Sequence, residues 1–311
     1  MPTTSTTPGP RIGIDLGGTK IEGVVLAPGG EVLASLRIAA PRDSYAASLA
    51  AVAGLVADME RSAGIAGSTG DGRPVGIGMP GSISPVTGLA QGANSTWLNG
   101  RPIAADLAAR LGRPVRVAND ANCFALSEAV DGAGAGAASV FGVILGTGCG
   151  GGIVIGGRLL EGPNAISGEW GHNPLPWART DESPGPACWC GRRGCMETWV
   201  SGPGLAADHE RVCGERLAPD VIAARASTGD AAAVATLARH ADRLARGLAH
   251  VVNIVDPAVI VLGGGLSKLT GLYGALPRLA APHVFAAAPR LDIRPPRWGD
   301  ASGVRGAAWL W

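Results

Sequence analysis

One histidine and three cysteines crowd into the stretch "GEWGHNPLPWARTDESPGPACWCGRRGCMETW" that begins at Gly168, in a chain with six cysteines altogether. His172, Cys188, Cys190 and Cys195 offer one imidazole and three soft thiolates, the donor set that closes a tetrahedral zinc site and leaves no open catalytic position. The C-x-C and C-x4-C spacings around glycines suit a shared metal. Free core thiols, a redox pair and an iron–sulfur cluster are the alternatives. A catalytic thiol is the weaker reading, because no activating helix start or base is evident beside these cysteines. Cys123, Cys149 and Cys213 are dispersed and read as packing residues.

Three glycine-rich turns carry a second chemistry: Asp15-Leu16-Gly17-Gly18-Thr19, Gly146-Thr147-Gly148-Cys149-Gly150-Gly151 and Gly263-Gly264-Gly265, each after an apolar run. Glycine lets backbone N–H groups approach an anion and a threonine hydroxyl adds a donor, so such turns cradle phosphates. Asp15 is placed to hold Mg²⁺ directly or through water. "GTGCGG" matches G-x-G-x-x-G, but the strand-like "IVIGG" follows it where a dinucleotide fold needs a helix. A P-loop motif is absent as well. Any phosphates therefore sit on hairpins.

"RVANDANCFALSEA" puts Asn119 and Asp120 where a strand gives way to a helix. Asp120 can be a helix cap, or a carboxylate that takes the proton of a sugar hydroxyl attacking a phosphoryl group, with Asn119 bonding neighbouring hydroxyls. Glu169, His172 and Glu197 bracket the cysteines and add acceptors suited to a polyhydroxylated, neutral substrate.

The elements that must position these groups follow from the apolar pattern. "RIGIDLGG", "KIEGVVLAPGG" and "EVLASLRIAA" predict a β-meander, and the next run predicts a helix capped by Asp43 or Ser44. Strand "VGIGMPG", helix "PIAADLAARLG" and strand "PVRVAND" precede the helix "ANCFALSEAV". "SVFGVILGTGCGGGIVIGGRLLEG" then repeats the opening meander, so the chain reads as duplicated. Helices follow, one stopped by Pro257 before the strand "AVIVLGGGLS", and "SGVRGAAWLW" closes the chain as a helix.

With 46% apolar and 16% charged residues, the chain can bury a core in each of two lobes. Lys plus Arg (26) nearly balances Asp plus Glu (25), which excludes a field favouring nucleic acid or an anionic membrane. The opening "MPTTSTTPGP" reads as a disordered lead, not a signal peptide, and no apolar run has membrane-spanning length. A cytoplasmic location with reduced thiols is expected. Lysine occurs only at Lys20 and Lys268, which reads as compositional drift.

"DLGGTK", "GMPGSIS", "NDAN", "GTGCGGG", "GEWGH", "CWCGRRGCMET" and "VLGGG", in this order over Arg11–Trp311, resemble the ROK family of sugar kinases and repressors. The resemblance implies an α/β, actin-like ATPase (ribonuclease H-like) fold: two lobes with a duplicated meander and an interlobe cleft. The expected division is a lead of residues 1–10, a small lobe of 11–118 joined by a C-terminal helix of 303–311, and a large lobe of 119–302 carrying a zinc loop of 168–199. The resemblance makes Asp120 the catalytic base. Gly81, Asn94, Asn119, Glu169, His172 and Glu197 become sugar-binding positions, with Asp120 touching the same hydroxyl. Asp15, Gly17, Gly18, Thr19, Lys20, Gly146, Thr147 and Gly148 fall on the metal and phosphate loops, and Gly264 and Gly265 near the adenosine. His172, Cys188, Cys190 and Cys195 match the zinc ligands, with His172 binding metal by one ring nitrogen and sugar by the other. ATP, Mg²⁺, structural zinc, a hexose and a second copy of the chain are the implied partners. "NSTWLNG", "GEWGHNPLPW" and the C-terminal stretch look closest to bacterial fructokinases of the manno(fructo)kinase type, so D-fructose is the expected substrate. N-acetylglucosamine, glucose and mannose are the alternatives within the class, and a sugar-sensing repressor-like protein is the alternative outside it. The segment "PLPWARTDESPGPA" lengthens the usual gap between His172 and the cysteines.

Overall fold

Buried, β-branched runs alternate with glycine turns through the first part of the chain, and they pair as that pattern demands. The computed structural model describes residues 9–66, 72–93 and 95–311; the expected lead lies largely outside the described residues, as does Asn94. Strands β1 (Arg11–Leu16), β2 (Lys20–Leu26) and β3 (Val32–Ala39) form the antiparallel meander. Helix α1 (Tyr45–Ser62) follows; of the two cap candidates Ser44 is the one used, its Oγ accepting from the Ala47 N–H at 3.3 Å. Strand β4 (Val75–Met79), a small hairpin of β5 (Ser82–Ile83) and β6 (Ala90–Gln91), helix α2 (Ile103–Leu111), strand β7 (Val115–Asn119) and helix α3 (Asp120–Val130) complete the run. The sheet order is β3-β2-β1-β4-β7, with β1, β4 and β7 parallel. Asp15 pairs with Gly78 and Met79 with Asn119, so both polar residues stand at carboxyl ends of parallel strands, where open α/β sheets bind ligands.

A C-terminal helix, Ser302–Ala308, packs on β1, β4 and α3. The backbones approach so closely that a Cβ at Gly306 would collide with the Cys123 carbonyl. This contact moves the boundary expected at residue 118: the first compact unit comprises Met1–Asp131, Glu161–Ser167 and Ala301–Trp311, because α3 is held by the C-terminal helix.

The second unit comprises Gly132–Leu160 and Gly168–Asp300. Its strands β8 (Ser139–Leu145), β9 (Cys149–Ile155) and β10 (Arg158–Leu159) repeat the meander, with the third strand cut to two residues. Helices α4 (Glu197–Val200), α5 (Gly202–Cys213), α6 (Pro219–Ser227) and α7 (Ala231–Val255) precede β11 (Val259–Gly263), α8 (Gly271–Ala280) and β12 (Ile293–Arg294). The order β10-β9-β8-β11-β12, with β8, β11 and β12 parallel, matches the first sheet in its hairpin-then-parallel plan. Helix α7 ends one residue earlier than Pro257 requires, with Asp256 in the left-handed region at φ 47°.

Leu244 and Leu248 of α7 pack with Val143, Ile260 and Leu262 of the sheet, yet the same helix buries two arginines. Arg243 Nε and Arg246 Nη2 each donate to Glu182 Oε1 at 2.8 Å, Arg246 also donates to the carbonyls of Pro176 and Trp177, and Arg243 pairs with Asp208 at 2.8 Å. These bonds fasten the long segment between His172 and Cys188 to α7. The desolvation that would raise the Glu182 carboxyl is outweighed by Arg246, the Arg179 N–H and Arg243, which hold it at about 2 against an ordinary 4.5. The sign follows: a depressed carboxylate adds stability that is complete above pH 4.5 and lost as pH falls toward 2. Glu182→Gln leaves two buried cations short of countercharge and should cost about 3–5 kcal/mol in denaturant unfolding at pH 7, with a smaller difference from wild type near pH 3.

Candidate active site

In the first unit two carboxylates gather at the strand ends. The Asp15 carboxyl is pushed up to about 6, first by burial, then by the Asp120 charge and Glu22, against the lowering pull of Lys20 and Arg37. Lys20 and Arg37 are both engaged by Glu22, at 3.5 and 2.7 Å. The turn Gly17-Gly18-Thr19 links β1 to β2, with Thr19 exposed. Asn119 is the N-cap of α3: its Oδ1 accepts from the Ala121 N–H at 2.8 Å and its Nδ2 donates to the Gly81 carbonyl at 3.1 Å. Asp120 Oδ1 accepts from the same Ala121 N–H at 2.9 Å. The helix start therefore fixes both side chains. Gly81 sits at φ 83° and is so hemmed in by the Gln91–Ala93 backbone that no Cβ fits, so its carbonyl serves to orient Asn119.

In the second unit the four sequence-marked ligands converge. One donor atom from each of His172, Cys188, Cys190 and Cys195 lies within 4.8 Å of every other. Cys188 Sγ is 3.6 Å from His172 Nδ1 and Cys190 Sγ is 3.7 Å from Cys195 Sγ. Tetrahedral zinc with Zn–S of about 2.3 Å and Zn–N of about 2.0–2.1 Å has S–S edges of about 3.8 Å and S–N edges of about 3.6 Å, so the donor set fits that metal. No disulfide joins these cysteines. Burial raises the Cys188 and Cys195 thiols, the latter to about 12. The Arg192 N–H lowers Cys190. The loop is knitted by bridges of Pro174 with Cys195 and Ala187 with Arg193, and by Trp170, whose Nε1 donates to the Gly150 carbonyl at 3.0 Å.

Glu197, the first residue of α4, accepts from Trp189 Nε1 at 2.7 Å through Oε1 and from the Cys149 N–H at 3.1 Å through Oε2. A Cβ at Gly148 would lie 2.7 Å from that second oxygen, so the glycine makes room for the carboxylate. Glu197 thus joins the cysteine loop to the β8–β9 hairpin. Glu169 is exposed; partial desolvation and the Glu197 charge raise its carboxyl while His172 opposes them.

A cavity of about 750 Å³ opens beside that hairpin, lined by Gly146, Thr147, Gly202, Gly265 and Leu266. Gly264, at φ 77°, lies against the Leu145 backbone, where a Cβ would come within 2.5 Å of the carbonyl oxygen. Sequence reasoning missed Arg216, Asp220 and Lys268, which line the same cavity. A signal existed for the last: Lys268 is one of only two lysines, and it follows the third glycine turn. Of the residues expected to hold nucleotide, Gly146, Thr147 and Gly265 line this cavity, whereas Asp15, Gly17, Gly18, Thr19 and Lys20 belong to the first unit.

Two sheets of one topology, with carboxylates at the strand ends of one and a glycine hairpin over a cavity in the other, define an actin-like ATPase fold. Residues 11–311 match the ROK family. The chain belongs to the ROK family and is an ATP-dependent sugar kinase. The N-acetyl-D-glucosamine kinase of Vibrio cholerae serotype O1 is 41% identical over 303 residues, covering 96% of this chain and 98% of the relative. That of Escherichia coli O127:H6 is 42% identical over 303 residues with the same coverage. Among solved structures, the ROK hexokinase from Thermus thermophilus superposes with a TM-score of 0.84 at 32% identity, over 96% of this chain and 97% of the other. A ROK family glucokinase from Streptomyces griseus, in complex with glucose and AMPPNP, gives 0.76 at 28%, over 97% and 99%. The Vibrio and Escherichia relatives are kinases of N-acetyl-D-glucosamine, which matches the alternative sugar better than the fructose expected from the motifs. Among the described residues no helix is long and apolar enough to cross a membrane.

The pairing of carboxylates in the first unit is testable by titration. Removing the Asp120 charge with Asp120→Asn takes away one of the causes that raise Asp15, so its midpoint should fall below about 6 while staying above 3.8, because burial remains. Carboxyl carbon NMR of wild type and variant reads this shift directly.

Proposed function

We propose that the chain transfers the γ-phosphoryl group of ATP to the primary 6-hydroxyl of N-acetyl-D-glucosamine. The reading is carried by full-length identity of 41% and 42% to kinases of that sugar. It is supported by the acceptor set of Glu169, His172 and Glu197 beside the cysteine loop. Glucose is the second reading, favoured by the likeness to the Thermus hexokinase and the Streptomyces glucokinase at lower identity.

Asp120 acts as general base: it takes the hydroxyl proton as the sugar oxygen bonds to the γ-phosphorus and the bond to the bridging oxygen of ADP breaks. Asn119, held by Gly81, orients the sugar. Thr147 and the N–H groups of the second glycine turn receive the phosphates. Gly265, Asp220 and Lys268 border the space for the nucleoside. Asp15 would hold Mg²⁺, which when bound neutralises phosphate charge; the proximity of the Asp120 charge raises the Asp15 pKa and makes that corner attractive to a cation. Zinc on His172, Cys188, Cys190 and Cys195 would crosslink the loop, leaving His172 Nε2 for the sugar.

A coupled ADP-release assay across N-acetylglucosamine, fructose, mannose and glucose should rank N-acetylglucosamine first in kcat/KM; fructose or glucose in first place overturns the substrate. Asp120→Asn should lower kcat by at least about 100-fold with the fold intact. Chelation of zinc should raise the sugar KM before the ATP KM, and a folded, zinc-free protein with unchanged sugar KM would contradict the assigned task of the metal.

A further inference from the structure

Trp189 stands between two of the four clustered ligands and is 76% exposed. Tryptophan usually gains from burial, so an indole held in solvent in one fixed orientation presents a large apolar face to a ligand. This ring is not loose. Its Nε1–H donates to Glu197 Oε1 at 2.7 Å, and it meets the His172 ring edge to face, with centroids 4.9 Å apart and planes at 87°. The backbone on either side is fixed by a tight turn, in which the Cys188 N–H donates to the Arg192 carbonyl at 2.8 Å and the Gly191 N–H to the Cys188 carbonyl at 3.0 Å. The ring is thus held between two polar side chains, the His172 imidazole and the Glu197 carboxylate.

We propose that Trp189 determines specificity by packing its indole against the acetamido substituent of the sugar. This inference rests on the amino-sugar reading above and names the residue that makes the choice. A carboxylate or imidazole accepts a bond from a hydroxyl or an amide N–H alike, so Glu169, His172 and Glu197 separate the two kinds of sugar poorly. An acetamido group adds a methyl and a flat amide where a plain hexose carries only a hydroxyl. An aromatic face gains contact with both of those features and gains nothing comparable from a hydroxyl. Pinning through the N–H means that little freedom is lost when the face is covered.

The test uses the zinc-loaded, full-length protein, with zinc content and far-UV circular dichroism measured for each variant. Trp189→Ala should reduce kcat/KM for N-acetylglucosamine by about 10- to 100-fold, mainly through KM, and that for glucose by much less. Trp189→Phe keeps an aromatic face without the N–H and should retain most of the preference. Equal losses on both sugars in Trp189→Ala overturn the proposal, whether they arise from a displaced Glu197 or from lost zinc. A collapse of the preference in Trp189→Phe as deep as in Trp189→Ala also overturns it, because the N–H and not the face would then be the active feature. A wild-type enzyme that favours plain hexoses overturns the amino-sugar reading and this inference together. A wild type that favours N-acetylglucosamine with a ratio unmoved in Trp189→Ala overturns this inference alone.

Discussion

The carboxylate of Glu197 accepts one hydrogen bond from the cysteine loop and one from the hairpin that follows β8, and the order of the second unit's site depends on that double attachment. Each bond is charge-assisted and therefore stronger and more directional than a neutral one. The hairpin must keep glycine at position 148 for the carboxylate to reach the Cys149 N–H, and the loop must present an indole N–H at Trp189. The glycine hairpin and the cysteine loop are thereby joined through one side chain. Each Glu197 oxygen keeps a lone pair free, so the carboxylate can still accept from a ligand without giving up either attachment.

The first unit solves a different problem. Asp15 and Asp120 are brought together by parallel strands whose register is fixed, and the electrostatic penalty falls on Asp15, whose burial is the larger cause of its raised pKa. Asp120 lies at the first turn of α3, where its Oδ1 accepts from the Ala121 N–H. Lys20 and Arg37 offset part of the negative charge but are held by Glu22. A divalent cation entering this corner would meet carboxylates already positioned and already in mutual repulsion.

Much of this was legible in the chain before any coordinates. The two meanders, the Ser44 cap, the strand-to-helix junction at Asn119 and the four metal-type ligands all follow from local chemistry: β-branched runs, turn glycines, capping side chains and soft donors at close spacing. What depended on distant contact was not legible. The boundary expected at residue 118 moved to Asp131 because α3 rests on a helix from the far end of the chain. The cavity walls from α5 and α6, with Arg216 and Asp220, carry no motif. Arg243 and Arg246 sit in an amphipathic pattern that assigns arginine to solvent, and only the carboxylates of Glu182 and Asp208, from other elements, make their burial tolerable. The choice of fructose over N-acetylglucosamine leaned on short motifs that the family's kinases share, which constrain the reaction more than the sugar.

The long segment between His172 and Cys188 shows how the loop is held without its ligands. Glu182 and the carbonyls of Pro176 and Trp177 bind it to α7 from behind, while His172 and the cysteines gather its two ends in front. Its backbone is consequently braced twice, by an ionic cluster that needs no metal and by a donor set that fits one. A segment braced in this way varies through the side chains it displays more readily than through its path, because a new path would strand buried arginines. Glu169 and Trp189 flank that braced segment on either side, whereas Asp120 belongs to the other unit and is held at the start of its own helix.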